Sequence, residues 1–409
     1  VRKPYFPIVL AALVSCPGVV AVLAHAELSA PLTAFIAGVS ILSASFLLVW
    51  ACDAAQADVS QSLALAVVAV VAVLPEYVVD MYFTWQAGKF PDSDYAGYAV
   101  ANMTGANRLI IGVAWVTVVI IFWVKTRSAV ALREERLLEI RFLGMATLYA
   151  FLIPMKGNLA WYDGIVFIGL YVWYVVIAGR RPQTEIDAEG PGAYLGSLPV
   201  VTRRVWTILL FVFAAVVIVM NAERFCEGLV GTGKALGISE FLLVQWVAPL
   251  ASEAPEFVVA IMFALRARAG LALGSLVSAK LNQWTLLVGM IPWVYALSSG
   301  TLAHPLPMGR FQMEEILLTA AQSLLAVVML ATLRLSFGQG LLLFGMFAGQ
   351  LVAPAIVNSS CGGELMGICG DQMHVVFSFL YIVAAIALIV DHPHRLAHVF
   401  PWLQKRGRE

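Results

Sequence analysis

Two stretches decide the architecture. The first is Leu74-Pro75-Glu76-Tyr77-Val78-Val79, followed by Ala101-Asn102-Met103-Thr104-Gly105-Ala106-Asn107. The second is Ala254-Pro255-Glu256-Phe257-Val258-Val259, followed by Gly274-Ser275-Leu276-Val277-Ser278-Ala279-Lys280. Each sets Pro-Glu-aromatic-Val-Val inside a long apolar segment and opens the next such segment with small residues. The first copy is longer between these landmarks, in the region 89–95.

The chain around these copies is not built for water. Of 409 residues, 61% are hydrophobic and 12% charged, against roughly 45–50% and 25% in a soluble domain. With a mean hydropathy of +0.88, the excess apolar surface needs a bilayer, which excludes a cytosolic enzyme or a disordered scaffold. Zero formal net charge gives no general attraction to nucleic acid. Five cysteines without a C-x-x-C pair signal neither a zinc ribbon nor a thioredoxin-type site.

A spanning helix needs about 20 mostly apolar residues. On that measure twelve segments stand out, near 5–24, 31–52, 59–86, 95–124, 140–155, 160–178, 205–221, 239–265, 270–298, 314–333, 338–357 and 373–390. Starting from a cytoplasmic N-terminus, the inner loops collect 18 Lys and Arg residues and the outer loops 5. That asymmetry fixes the direction of the spans and expects a multi-pass protein of the cell inner membrane with both termini cytoplasmic. Residues 1–26, with Arg2-Lys3 and Ala24-His25-Ala26, read either as a first hydrophobic helix or as a cleaved leader. The remaining expected divisions are a first half 27–178, a polar cytoplasmic linker 179–204, a second half 205–357, and an extra helix with tail 358–409.

In that topology the two Pro-Glu segments run in opposite directions. Inverted repeats with helices broken near the midplane characterise secondary transporters, with the substrate where the repeats meet. Proline removes a backbone hydrogen bond and frees carbonyl oxygen. A glutamate beside each break adds charge, and carboxylate plus carbonyl suits a hard cation such as Na⁺ or Ca²⁺, or a proton. Small residues at Gly105, Gly274 and Ser275 let helices approach closely around such a site, and Asn102 belongs to the same packing group.

These paired motifs resemble the alpha repeats of the cation/calcium exchanger superfamily, which includes sodium/calcium exchangers. The resemblance covers 59–124 and 239–298 and implies an all-α polytopic fold of two inverted five-helix repeats, here with one extra helix at each end. It implies that Glu76 and Glu256 are central ion ligands, that Ser252 stands for a ligand Thr, that Glu253 replaces a Ser, and that Gln283 stands for a ligand Asn or Asp. Against the family pattern, Ala72, Val73, Ala106, Ile110 and Ala279 replace Thr, Ser, Ser, Asn and Ser, so several oxygen ligands are missing.

Two cations stand near the same motifs. Lys280 replaces the Asn that Asn107 keeps in the first copy, and Arg108 follows Asn107. Ionisable residues at membrane depth are costly and functional by default. Asp80, one turn from Glu76, is either a ligand or a partner for Arg108, and Asn107, Arg108 and Lys280 are expected to compensate or couple charge. A lysine that releases its proton as the glutamates exchange a cation would make a cation/proton antiporter. The expected function is therefore exchange of Na⁺ or Ca²⁺ against H⁺ (or Na⁺), with sodium/calcium exchange as one alternative. Another is a non-transporting sensor or scaffold plugged by Arg108 and Lys280.

No enzymatic signature is present. No cofactor is expected beyond the transported cation, and the expected partners are inorganic cations and lipid. Gly228-Leu229-Val230-Gly231-Thr232-Gly233-Lys234 nearly matches a phosphate loop, but Ala235 stands where Ser or Thr must hold Mg²⁺, so no nucleotide is expected. Glu314-Glu315 reads as solvated charge, His374 as structural or solvated, and Cys361 with Cys369 as a candidate disulfide in an outer loop.

Overall fold

The computed structural model describes residues 5–58, 73–180, 190–302, 304–360, 364–365, 368–369 and 372–391. The first half of the chain supplies α1 (Phe6–Leu23), α2 (Ala30–Ala55), α3 (Leu74–Lys89), α4 (Tyr95–Thr126), α5 (Glu134–Lys156) and α6 (Trp161–Ala178). After the short α7 (Gly190–Gly196) come α8 (Val200–Leu236) and α9 (Glu240–Leu265). Helix α10 runs through Ala269–Asn282, a π-helical turn at Gln283–Leu287, and Val288–Ser299. Helices α11 (Arg310–Leu330), α12 (Phe337–Ser360) and α13 (Met373–Asp391) close the order.

The protein is an all-α polytopic membrane protein. Ten of the described helices are long and apolar enough to cross a bilayer. They match the expected segments except 59–86, of which residues 59–72 lie outside the described residues, and 270–298, which forms α10 but is not among the ten. The Cys361 side of the expected disulfide, the tail 392–409 and residues 181–189 of the expected linker also lie outside the described residues, and the stretch of that linker after them supplies α7 and the start of α8.

Helix α8 differs most from expectation, extending to 37 residues where the span at 205–221 should end. The polar run from Asn221 to Arg224 does not break it. Asn221 turns its amide onto Val217 O at 2.8 Å, Glu223 faces outward, and Ala222, Phe225, Cys226 and Leu229 continue the buried stripe at helical spacing. The phosphate-loop look-alike is part of this helix. A Cβ at Gly228 would come within 2.7 Å of Ala34 N, so glycine serves the close approach of α8 to α2.

The chain forms two compact units, each drawing on both sequence halves. Unit one comprises residues 1–102 and 172–256. There α2 and α8 pack along their length around Leu47, Leu48, Ala214, Val217 and Ile218, and α3 joins them through Val79, Phe83, Phe225 and Cys226. Asp58, in the turn after α2, accepts bonds from Arg203 Nε and Nη2 at 2.7 and 2.8 Å and from Arg204 Nε at 3.0 Å, fastening that turn to the start of α8.

Unit two comprises residues 103–171 and 257–409. Strand β1 (Val130–Ala131) pairs antiparallel with β2 (Arg334–Leu335), and Leu159 bridges Leu306. The β1–β2 pair lies at the start of α5 and the end of α11, and the Leu159 bridge at the other end of each, so these helices run antiparallel.

Candidate functional site

Unit one holds the Pro-Glu carboxylates. Pro75 and Glu76 occupy the first turn of α3, where the helix dipole favours a negative charge, and Glu76 is 2% exposed. In the second copy Pro249 and Pro255 both lie inside α9. Each lacks the amide that would enter the i→i−4 ladder. Ser252 and Glu253 are buried on this proline-broken stretch, and Glu256 is partly buried. The Ser252 hydroxyl turns back on Ala248 O at 3.2 Å, so its lone pairs remain the available acceptor. Among the described residues no three His, Cys, Asp or Glu side chains are gathered into a metal cluster. Broken-helix carbonyls and a hydroxyl fit a transported cation better than a permanently held one.

Asp80 and Asn102, also in unit one, form a buried pair. Asn102 Nδ2 donates to Asp80 Oδ1 at 3.3 Å, and both side chains are 0% exposed. Of the two readings open for Asp80, the partnership with Arg108 is not what forms: Asp80 bonds Asn102, and Arg108 bonds Glu315.

Unit two holds the tethered cations. Lys280 Nζ donates to Asn107 Oδ1 at 2.7 Å and to Asn107 O at 3.3 Å, and lies 4.4 Å from the Trp284 ring centre. Asn107 and Lys280 hold equivalent places in the two repeats, and each precedes a π turn by three residues: Ile110–Trp115 in α4 and Gln283–Leu287 in α10. Gln283 is buried at the head of its turn. Such turns break the regular ladder and recur at functional sites.

Glu315 corrects the expectation of a solvated charge. It is 1% exposed, forms an ion pair with Arg108, accepts from Thr104 Oγ1 at 3.4 Å and meets His374 Nε2 at 3.1 Å. Its near counterpart in the first half, Glu139, accepts from Ser278 Oγ at 2.9 Å and from Arg136 Nη1 at 2.6 Å. Each glutamate thus reaches the helix that follows the Pro-Glu segment of the other half. The signal was the recurrence of an acid at the head of α5 and of α11, masked by the charged residues around each. Of the packing residues, Gly105 and Gly274 are buried. Ser275 instead faces outward with its hydroxyl on Ala272 O at 2.9 Å, and Ser278 makes the interhelix contact.

The family model described as sodium/calcium exchanger protein matches residues 29–179 and 206–355, more than half of the chain. The chain belongs to this family. It is therefore a membrane antiporter of the cation/calcium exchange class rather than an enzyme in the usual sense. A solved structure titled as the H⁺/Ca²⁺ exchanger CAX is 39% identical to this exchanger, with 99% of this chain and 98% of that chain covered and a TM-score of 0.90. The sodium-calcium exchanger NCX_Mj is 19% identical, covering 79% and 98%, with a TM-score of 0.52. YfkE is 15% identical over 92% and 100%, with a TM-score of 0.62. These last two likenesses concern the fold alone. An uncharacterized membrane protein of Methanocaldococcus jannaschii is 22% identical over 204 residues, 49% of this exchanger and 60% of that relative's length.

Proposed function

We propose that this exchanger moves Ca²⁺ or Na⁺ against protons, with Glu76 and Glu256 as the central carboxylates and Glu253 and Ser252 as further oxygen donors. The observation that carries the reading is the 39% identity, across nearly all of both chains, to a protein titled as an H⁺/Ca²⁺ exchanger. Chemistry supports it. A buried carboxylate carries a heavy desolvation cost unless it is neutralised, so the glutamates cross the membrane either holding a cation or each holding a proton. That requirement is coupling by itself. Hydroxyl ligands are missing at Val73, Ala106 and Ala279, which favours few ions per cycle over a sodium/calcium exchanger's several. Gln283 enters the ligand set only through its place in the repeat. Lys280 and Arg108 supply positive charge, and their bonds to Asn107 and Glu315 give both a role without a plugged site. The excess of basic residues in one set of loops supports an inner-membrane orientation with both termini cytoplasmic.

Sealed liposomes holding the purified protein, an imposed pH gradient and an entrapped pH dye test the reading. Addition of Ca²⁺ or Na⁺ should collapse the gradient with wild type and not with the Glu76→Gln/Glu256→Gln protein. If no cation among Na⁺, K⁺, Li⁺, Ca²⁺ and Mg²⁺ does so, proton coupling is wrong and sodium-driven calcium exchange takes its place.

A further inference from the structure

We propose that Asp80 and Asn102 form a dedicated proton-binding site, separate from the Pro-Glu carboxylates. Three observations in unit one carry it. Asp80 is 0% exposed, and so is Asn102. Their single direct bond runs from Asn102 Nδ2 to Asp80 Oδ1. The other oxygen of each group, Asp80 Oδ2 and Asn102 Oδ1, has no hydrogen-bond partner among the described residues.

Burying a polar atom without a partner costs about 1–3 kcal/mol, and burying an unpaired charge costs several more. An ionised Asp80 would incur both. No Lys or Arg side chain bonds it among the described residues, and the residues next to the pair in the chain, Val79 and Ala101, belong to one buried apolar cluster with Phe83, Ala99, Phe225 and Cys226. A proton on Oδ2 removes the charge and creates a donor, and the available acceptor is the bare oxygen of the same Asn102 amide. Acid and amide then close a cyclic pair of two hydrogen bonds. One proton thus satisfies both orphaned atoms.

Loss of that proton leaves Asp80 with a full negative charge beside an amide oxygen, and the proton passes to water. The titratable groups on the elements around this pair are Cys226 on α8, with Glu223 and Glu227 turned outward beside it, Tyr95 and Tyr98 on α4, Tyr82 and Glu76 on α3, and Glu240 on α9. Glu227 is exposed, follows Cys226 in the chain, and accepts from Tyr82 OH at 2.7 Å and Tyr95 OH at 2.5 Å. It is an exposed carboxyl shared by tyrosines of α3 and α4. The site adds a proton to the cycle beyond those on Glu76 and Glu256, and to that extent rests on the proton coupling proposed above.

The test combines transport with infrared difference spectroscopy on the full chain in liposomes. Wild type should show the C=O band of a protonated carboxyl that is absent in Asp80→Asn and shifted in Asn102→Leu, which keeps the acid but removes its acceptor. In flux assays Asp80→Asn should still carry Ca²⁺–Ca²⁺ self-exchange while its proton-to-cation ratio falls by a single proton. An unchanged ratio and pH profile in Asp80→Asn, with wild type proton-coupled, overturns the proposal, as does a spectrum in which every protonated-carboxyl band of wild type, and not only those of Glu76 and Glu256, survives Asp80→Asn. If wild type moves no protons at all, the exchange reading fails on its own. The Asp80 band then still decides whether the residue binds a proton.

Discussion

Lys280 Nζ and Asn107 Oδ1 meet at 2.7 Å, joining residues that hold the same place in the two repeats. A pseudo-twofold axis relates the equivalent positions of an inverted repeat, and a contact between two of them lies close to that axis. Two asparagines there would pair as neutral amides. This chain instead sets a charge against an amide, so the repeats are no longer interchangeable at that point.

Lys280→Ala should shift the pH profile of cation transport and lower stability by about 1–3 kcal/mol, because Asn107 loses a buried donor. Lys280→Arg retains a donor but cannot release its proton, and should slow transport more than it destabilises the fold. Liposome flux across a pH series, with thermal unfolding in detergent, separates the two. Unchanged profiles in both variants would leave Lys280 a structural role only.

The Arg108–Glu315 pair is buried at both ends. Removing one partner, as in Glu315→Leu, should destabilise by about 3–5 kcal/mol, since it strands the other charge. The double variant Arg108→Met/Glu315→Leu should recover much of that loss. A double-mutant cycle on unfolding midpoints measures the coupling, and additive effects would refute it.

The bonds from Arg203, chiefly, and Arg204 pull the Asp58 carboxyl from its ordinary 3.8 down to about 2. Because the folded value lies below the unfolded one, the stabilisation is complete above the unfolded value and fades as pH falls toward the folded one. Wild type should therefore lose stability between about pH 4 and 2. Asp58→Asn should melt lower than wild type at neutral pH and lack that acid-dependent fall. Melting curves across this range check it.

Gly112, in the π turn of α4, lies against α12, and a Cβ there would come within 2.3 Å of Phe347 Cγ. Gly112→Ala should cost about 1–3 kcal/mol by overpacking, and Phe347→Ala, which removes the Cγ and Cδ2 that the new methyl meets, should cost less in the Gly112→Ala background than in wild type. Unfolding midpoints of the single and double variants give the answer.

Legibility followed the range of the forces. Segment length and hydropathy report a local requirement, that a spanning backbone satisfy its own hydrogen bonds, so ten spans and the all-α class were readable residue by residue. The Pro-Glu repeats were readable because proline acts on its own helix. The extent of α8 past Asn221 was not, since a polar residue can turn its amide back onto its own backbone, as Asn221 does to Val217.

The sequence by itself determined a multi-pass helical protein with two inverted Pro-Glu repeats and a small set of intramembrane charges. Only the tertiary structure decided which charges meet. Asp80 found Asn102 rather than Arg108, Arg108 found Glu315 from a helix more than 200 residues away, and an acid that looked solvated became buried. The physical reason is that a side chain's partner depends on which helix face packs against it. For Arg108 and Glu315 that face comes from the other half of the chain, beyond the reach of any local pattern.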